Sequence, residues 1–399
     1  MNTRGRLQGS LFYLFSLLGG AALLTGCGGG SSSAPGTSCA ASSGSSPSSG
    51  FQPISISGDN SPSGIYDPSI LNDGCTVWMS YSSVDYHQQS GNLVQDVGVK
   101  LARSDDGGAS FSYVTTLGTP QATTVHDTNS GDPVCGTATC SGRWVYETSW
   151  LIDDSGDPQP TRRYKLFAHK YFLYPPSAAA AKATHYELGS IVMWTAPSPD
   201  GAWSGETSLL GWDLTPPELV PQINVNTIDP ALASCLVVAE GAASVRGSTL
   251  DFAFACPYLN ASTIPQKIVL LRSTDHAASF SYVGTPLQAA DAATFGADYF
   301  SAPSLLPRDD SAPVLFATPV KAGIYSGCVV FPFADENAGT LTRDQHGAPV
   351  MLKTILPLAG DFGGACAWDR GLDATGVLLN EANANATPIF SVYATQVMF

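Results

Sequence analysis

The chain of 399 residues is acidic, with 33 Asp and Glu against 18 Lys and Arg and a formal net charge of −15. Nucleic acids and anionic lipid surfaces attract basic proteins, so a chain this poor in Lys and Arg is not expected to bind either. From Phe51 onward about 350 residues remain, which is enough for one large β domain or two ordinary ones.

The N-terminus has the features of an export signal. Arg4 and Arg6 precede an apolar run, Leu11–Leu24, that is too short to span a bilayer comfortably and is typical of a secretory signal peptide. Leu24-Thr25-Gly26-Cys27 closes this run and resembles a bacterial lipobox, which implies cleavage before Cys27 and lipidation of that cysteine. An ordinary cleaved signal with a chance cysteine is the alternative.

A tether follows the predicted lipidation site. Residues 28–50 are nearly all Gly, Ser, Ala and Pro, a composition that cannot bury apolar surface. We predict a signal peptide at 1–26, a flexible tether at 27–50 and a folded domain at 51–399. The protein is then expected to be exported and held by its lipid at the outer membrane or cell surface, since Gly28 after the cysteine resembles the pattern of outer-membrane lipoproteins.

Eight cysteines remain besides Cys27, and an even number in an exported protein indicates disulfides. Their spacing does not resemble a zinc site. Among the 105 pairings that eight cysteines allow, we favour Cys135 with Cys140, Cys235 with Cys256, Cys328 with Cys366, and Cys39 with Cys75.

Short β-branched and aromatic runs separated by turn residues predict an all-β chain. One type of strand recurs, apolar with small polar residues, at Val97–Ser104, Ser190–Ser198, Lys267–Ser273, Gly327–Ala334 and Ile389–Thr395. A hairpin of two stronger strands precedes each copy. Five such units predict a five-bladed β-propeller, with six blades as the alternative. The segment Pro53–Ser57 is expected to complete the last blade and so close the ring.

Two turns support a propeller. Ser104–Phe111 matches the Asp-box, S-x-D-x-G-x-[ST]-[FW], and Ser273–Phe280 matches it with Ala277 in place of Gly. In this motif the Asp caps backbone N–H groups of a tight turn between the third and fourth strands. We therefore expect Asp106 and Asp275 to be structural.

The innermost strand of each blade lines the axis, so residues that open successive blades should meet there. The opening triplets are Tyr66-Asp67-Pro68, Tyr146-Glu147-Thr148, Ala239-Glu240-Gly241, Phe300-Ser301-Ala302 and Ala367-Trp368-Asp369. Three consecutive blades thus offer a carboxylate, in a chain with only 13% charged residues. Glycoside hydrolysis requires facing carboxylates, and a third can raise the pKa of the acid by repulsion.

On these residues the chain resembles the five-bladed glycosidases of families 43 and 32. The resemblance implies an inverting hydrolase in which Asp67, in a D-P context, is the general base and Glu240, in Glu-Gly-Ala where the family has E-G-P, is the general acid. Glu147 takes the modulating position, where the family has Asp. The remaining candidates for contact with a carbohydrate substrate are Tyr66, Trp144, Tyr146, Trp150 and His169.

Two alternatives remain. Sialidases also carry Asp-boxes and bind their substrate with three arginines, for which Arg103, Arg246, Arg272 and Arg343 are available, although two of these adjoin the Asp-boxes. A non-catalytic glycan-binding or interaction propeller is the other alternative, with the axial carboxylates holding Ca²⁺ or a polar ligand. The six histidines lack ligand spacing, so neither a cofactor nor a metal-binding motif is predicted.

Overall fold

The computed structural model describes most of the predicted folded domain. The described ranges are 52–73, 76–89, 92–129, 138–174, 183–260, 264–306, 313–357, 363–368, 375–381 and 389–395. The predicted signal peptide, tether and Cys27 lie outside them, as do Cys39, Cys75 and Cys135. Within these ranges the chain is all-β with a propeller arrangement of sheets, as predicted. No helix in them has the length and apolar composition needed to cross a bilayer.

The described strands form five sheets, which we number along the chain. The first strand, β1 (Gln52–Pro53), belongs to the last sheet. Sheet 1 contains β2 (Ile56–Ser57), β3 (Ile65–Asp73), β4 (Thr76–Gln89), β5 (Asn92–Ser104) and β6 (Phe111–Gly118), in the spatial order β2-β6-β5-β4-β3. Sheet 2 contains β7 (Gln121–His126), β8 (Thr139–Asp153), β9 (Tyr164–Tyr174), β10 (Ala183–Ala196), β11 (Thr207–Gly211) and β12 (Ile223–Asn224), in the order β12-β11-β10-β9-β8-β7.

The other three sheets repeat this pattern of antiparallel neighbours. Sheet 3 contains β13 (Ala239–Arg246), β14 (Thr249–Pro257), β15 (Gln266–Ser273) and β16 (Ser281–Leu287), in that order. Sheet 4 contains β17 (Tyr299–Leu306), β18 (Val314–Lys321), β19 (Ile324–Tyr325), β20 (Cys328–Asp335), β21 (Thr340–Leu341) and β22 (Lys353–Ile355); β19 pairs with β18 and β22 with β20. Sheet 5 contains β23 (Ala367–Trp368), β24 (Thr375–Glu381) and β25 (Ile389–Thr395), in the order β1-β25-β24-β23. Helical turns occupy Pro160–Arg162, Val225–Thr227, Pro230–Leu232, Ala289–Ala292 (α1) and Ala293–Phe295.

Each sheet has one inner strand, which we call its first strand, and the second and third strands follow it along the chain as the main hairpin of the sheet. The first strands contact one another in a closed circle. β3 contacts β8, β8 contacts β13, β13 contacts β17, β17 contacts β23, and β23 contacts β3. The N-terminal segment closes this ring, since β1 pairs with β25 in sheet 5 while β2 pairs with β6 in sheet 1. The expected closure is therefore present, although it is made by Gln52–Pro53 and by a hydrogen bond from Ile54 N to Val392 O (2.8 Å), while Ile56–Ser57 pairs in sheet 1. These five strands surround the axis and position the candidate site.

The recurrent segments lie in the third strands, and two of these strands are followed by turns with hydrogen-bonded aspartates. Each recurrent segment lies in the third strand of a sheet, namely β5, β10, β15, β20 or β25. In the turn after β5, Asp106 Oδ1 accepts a hydrogen bond from Ser110 N (2.9 Å), and in the turn after β15, Asp275 Oδ1 accepts one from Ser279 N (2.9 Å). Both turns lie at the outer side of their sheets, so these two aspartates hold turns together and take no part in the axial site.

Two predicted disulfides are present, Cys235–Cys256 and Cys328–Cys366. Cys140 is also a disulfide cysteine; its predicted partner lies outside the described residues. The Cys235 and Cys256 side chains are buried in the large apolar core that packs sheets 1, 2 and 3 together. Apolar packing between sheets, rather than helices, therefore supports the axial strands.

Candidate functional site

Each sheet places one residue of left-handed backbone conformation beside the axis. These residues are Asp67 (φ 45°), Thr148 (φ 49°), Glu240 (φ 52°), Ala302 (φ 43°) and Ala365 (φ 50°). In sheets 1 to 4 the pairing between first and second strands shifts register at this point, which is a β-bulge. Non-glycine residues rarely adopt this conformation, and such strain is concentrated at functional sites.

The bulges correct the predicted alignment of the carboxylates. Asp67 and Glu240 occupy the left-handed position itself, but in sheet 2 that position belongs to Thr148, and Glu147 precedes it by one residue. The triplet read around Ser301 is likewise one residue early. In sheet 5 the equivalent residue is Ala365, so the predicted triplet, centred on Trp368, was three residues too late in the sequence. A bulge has no sequence marker here, so matching residue types alone could not locate it.

Asp67 and Glu240 each bond to the bulge of the following sheet. Asp67 Oδ2 accepts hydrogen bonds from Thr148 N (3.0 Å) and Thr148 Oγ1 (2.9 Å). Glu240 Oε2 accepts a hydrogen bond from Ala302 N (2.7 Å). The hydroxyls of Ser301 and Tyr325 also donate to Glu240. Both carboxylates are fixed in place by these contacts, and each links two neighbouring sheets.

Glu147 is held by tyrosines. Its Oε2 accepts hydrogen bonds from Tyr66 Oη (3.0 Å) and Tyr171 Oη (2.9 Å), and His169 Nδ1 lies 4.0 Å from Oε1. Burial lowers the pKa of His169 to about 3, although a backbone hydrogen bond with Tyr186 opposes this, so the imidazole is neutral. A neutral ring brings no positive charge to Glu147.

The three carboxyls are buried and close enough to repel one another. Asp67, Glu147 and Glu240 are 4%, 2% and 3% exposed. Burial and the charge of Glu240 raise the pKa of Asp67 to about 7, against hydrogen bonds from Thr148. Burial and the charges of Asp67 and Glu240 raise the pKa of Glu147 well above its usual value. At neutral pH this cluster therefore holds protons that isolated carboxyls would have released.

A small cavity separates two of the carboxylates. This axial chamber, of about 20 Å³, is lined by Asp67, Pro68, Thr148, Ser149, Trp150, Glu240, Ala302, Pro303, Ser304, Ala365 and Cys366. It admits about one water-sized group. A wider cavity, the vestibule, of about 260 Å³, follows it along the inner strands and shares Trp150 with it.

The structure brings three of the five predicted substrate-contact residues to the axis. Tyr66 and His169 adjoin Glu147, and Trp150 lines both cavities. Trp144 and Tyr146 do not reach it: their rings pack on either side of Lys170 Nζ, 5.3 Å from each centroid. The reason is the pleat of β8, which directs alternate side chains to opposite faces, so Trp144 and Tyr146 point away from the face that presents Glu147.

Sequence reasoning missed the hydroxyl groups that hold the carboxylates. Tyr171 is on the second strand of sheet 2 and Tyr325 on a two-residue strand of sheet 4, and neither stands in a motif. The sequence pattern therefore gave no indication of these tyrosine hydroxyls. Thr148 was missed because its role depends on the bulge in β8, which the structure shows and no sequence signal marks.

The arginines considered for a sialidase-type site lie elsewhere. Each is paired with an acid outside the axis: Arg103 with Asp105, Arg246 with Glu336, Arg272 with Asp251 and Arg343 with Asp291. Among the described residues none of the four forms an ion pair with an axial carboxylate. The sialidase alternative is therefore not supported by this geometry.

One cluster has side chains of metal-ligand type. Asp154, Asp157 and His276 bring their ligand atoms within 4.8 Å of one another. Lys165 Nζ, fully buried, already lies 2.7 Å from Asp154 Oδ2 and 2.8 Å from Asp157 Oδ2. The ammonium group supplies the positive charge that a metal ion would bring, so this cluster links sheet 2 to the turn after β15 without one.

No protein-family model matches the sequence, and no curated protein matches it. Solved structures similar to this chain include a thermostable family-43 glycoside hydrolase, at 11% identity and a TM-score of 0.48, covering 87% of this chain and 93% of that one. A family-117 glycoside hydrolase of the marine bacterium Zobellia galactanivorans matches at 12% identity and a TM-score of 0.48, covering 86% and 89%. An α-L-arabinofuranosidase of Podospora anserina, in complex with cellotriose, matches at 10% identity and a TM-score of 0.44, covering 86% and 96%.

Proposed function

We propose that the chain is a five-bladed propeller and a glycoside hydrolase, with Asp67, Glu147 and Glu240 as its acid–base groups. The observation that carries the proposal is the convergence of three buried carboxyls from consecutive inner strands, with the pKa of Asp67 raised to about 7. A carboxyl that titrates near the working pH suits general acid–base catalysis. The five sheets and the closed circle of first strands support five blades over six.

In this proposal Asp67 is the general base, Glu240 is the general acid, and Glu147 is the residue that modulates their ionisation. Glu147 does not line the axial chamber, whereas Asp67 and Glu240 do. The charges of Asp67 and Glu240 raise its pKa, so it is electrostatically linked to them without lining the chamber, which fits a modulating role. An inverting reaction follows from this assignment, since one carboxyl protonates the leaving oxygen and the other activates water.

A second candidate is a carbohydrate-binding propeller without turnover. The size of the axial chamber favours it, because about 20 Å³ between Asp67 and Glu240 holds a water molecule and not a sugar ring. The hydrogen bonds to Thr148 and Ala302 also give both carboxylates a structural role.

Turnover by the purified chain on a panel of aryl glycosides and polysaccharides decides between the two. If the hydrolase proposal holds, Asp67→Asn and Glu240→Gln each reduce kcat by about 10²-fold or more while remaining folded. Glu336→Gln is the matched control, since burial also raises the pKa of Glu336 but this residue pairs with Arg246 away from the axis. Binding of a glycan with no cleavage of any substrate would support the second candidate.

We also propose that the protein is an exported lipoprotein anchored through Cys27. The apolar run and the Leu24-Thr25-Gly26-Cys27 sequence support this. Mass spectrometry of the mature N-terminus from membranes should find an acylated cysteine, and Cys27→Ser should release the protein. An unmodified mature N-terminus would remove the anchor from the proposal.

A further inference from the structure

Two cavities of different size are lined by residues of the inner strands, and Trp150 lines both. The vestibule, of about 260 Å³, has aliphatic and aromatic side chains such as Ile70, Leu305 and Trp368 beside the polar Asn72 and Ser244. The chamber has a volume of about 20 Å³. A ligand that occupies both cavities would pack an aromatic body in the vestibule and place one small group in the chamber.

The chamber has hydroxyl groups that the protein leaves unbonded. Ser149 and Ser304 both line it and are each 1% exposed, and neither Oγ has a hydrogen-bond partner in the part of the chain that the structure describes. Buried hydroxyls without a partner are uncommon and costly. They line the same chamber as Asp67, so a group placed there meets one carboxylate acceptor and two hydroxyls that can donate or accept.

Asp67 and Glu147 also have no side-chain cation as a partner among the described residues. The two buried lysines of sheet 2 are engaged elsewhere, Lys165 with Asp154 and Asp157, and Lys170 with Glu206. The position is thus one where a positive charge on a ligand would be stabilised.

We propose that this axial cavity binds a small organic cation, a protonated primary amine on an apolar body such as an aromatic ring. An ammonium group is about the size of a water molecule and so fits the chamber, and it carries three donors for Asp67, Ser149 and Ser304. The proposal uses carboxylates of the proposed hydrolase centre but requires no turnover.

Isothermal titration of the full chain with 2-phenylethylamine tests this, with 2-phenylethanol as the neutral match. The amine should bind about 10-fold more tightly than the alcohol, because a charge-assisted hydrogen bond exceeds a neutral one by about that factor. Its affinity should rise from pH 6 to pH 8 as Asp67, which lines the chamber and has a pKa raised to about 7, ionises, since the amine itself stays protonated. Equal affinities for amine and alcohol, or none, would overturn the proposal.

Matched serine variants locate the site. Ser149→Ala and Ser304→Ala should each weaken amine binding about 5-fold, the loss of one hydrogen bond. Ser80→Ala is the control, since Ser80 is equally buried with an unbonded Oγ but lines neither cavity. Stabilisation by CaCl₂ alone, with no response to the amine, would identify an inorganic cation site and overturn the proposal. Amine binding without glycoside cleavage would leave this inference standing and remove the hydrolase.

Discussion

Replacing Asp67 by Asn should make the protein more stable at alkaline pH. The folded protein raises the pKa of Asp67 to about 7 through burial and the charge of Glu240. The unfolded chain releases that proton near pH 4. Between pH 4 and pH 7 the folded protein therefore keeps a proton that the unfolded chain has lost. The stability of the wild type is then full below about pH 4 and falls as the pH rises through about 7.

The raised pKa corresponds to about 3 pH units, and at 1.36 kcal/mol per unit the loss at pH 8 reaches up to about 4 kcal/mol. Asn keeps a carbonyl oxygen for the hydrogen bonds from Thr148 and carries no charge, so the variant escapes this loss. Urea unfolding followed by tryptophan fluorescence at pH 4, 6 and 8 measures it. We expect nearly equal stabilities at pH 4 and a gap in favour of Asp67→Asn that widens with pH.

A control and a refuting result follow from the same reasoning. Hydrogen bonds, of which the one from Ser279 contributes most, lower the pKa of Asp275. The disadvantage of Asp275→Asn should therefore grow as the pH rises through about 4 and then stay constant from pH 6 to pH 8. If Asp67→Asn were less stable than the wild type at pH 8 by the same amount as at pH 4, Asp67 would be ionised and compensated in the folded protein. The conclusion that the axial carboxyls repel one another would then be wrong.

Three further outcomes are expected. Tyr171→Phe removes one of the two hydroxyl donors to Glu147 and should lower the free energy of unfolding by about 1–2 kcal/mol in urea titrations; no change would mean that Tyr66 alone suffices. Replacing both Cys235 and Cys256 by Ser opens a loop with a sequence separation of 21 and should cost about 2–4 kcal/mol, measured in urea titrations of the oxidised variant against the oxidised wild type; equal stabilities would mean that packing alone holds these strands. Ala277→Gly relieves the strain of a left-handed residue (φ 69°) and should raise the free energy of unfolding by up to about 1 kcal/mol, seen as a higher thermal midpoint. A lower midpoint would show that packing of the Ala277 methyl group stabilises the turn.

The sequence predicted the sheets well because their signals are local. Turn residues and apolar strands with period two mark each third strand, and the Ser104–Phe111 motif specifies its own turn through side chains only two to four residues apart. The Cys235–Cys256 pair was predictable for a similar reason, since both residues flank one hairpin region. These features need no knowledge of distant parts of the chain.

The details of the site depended on contacts that sequence spacing does not reveal. The hydroxyls that hold Glu147 come from Tyr66, 81 residues away, and from Tyr171, 24 residues away. The bulge at Thr148 moved the sheet 2 carboxylate out of step with Asp67. Trp144 was assigned to substrate although the pleat of β8 directs it toward Lys170. In each case the answer depended on which way a side chain points, and that is fixed by register.

The bulges also explain why stability and chemistry are combined at the same residues. A left-handed bulge position could be glycine at no steric cost, yet Asp67 and Glu240 occupy two of them. Their carboxylates accept the backbone N–H of the next bulge, at Thr148 and Ala302, so the residue that bears the charge also joins two sheets. Substitution by Ala would remove both the charge and that link, and the loss of activity would have two causes. Substitution by Asn or Gln keeps an acceptor for the link and removes only the charge, which is why the functional tests depend on those variants.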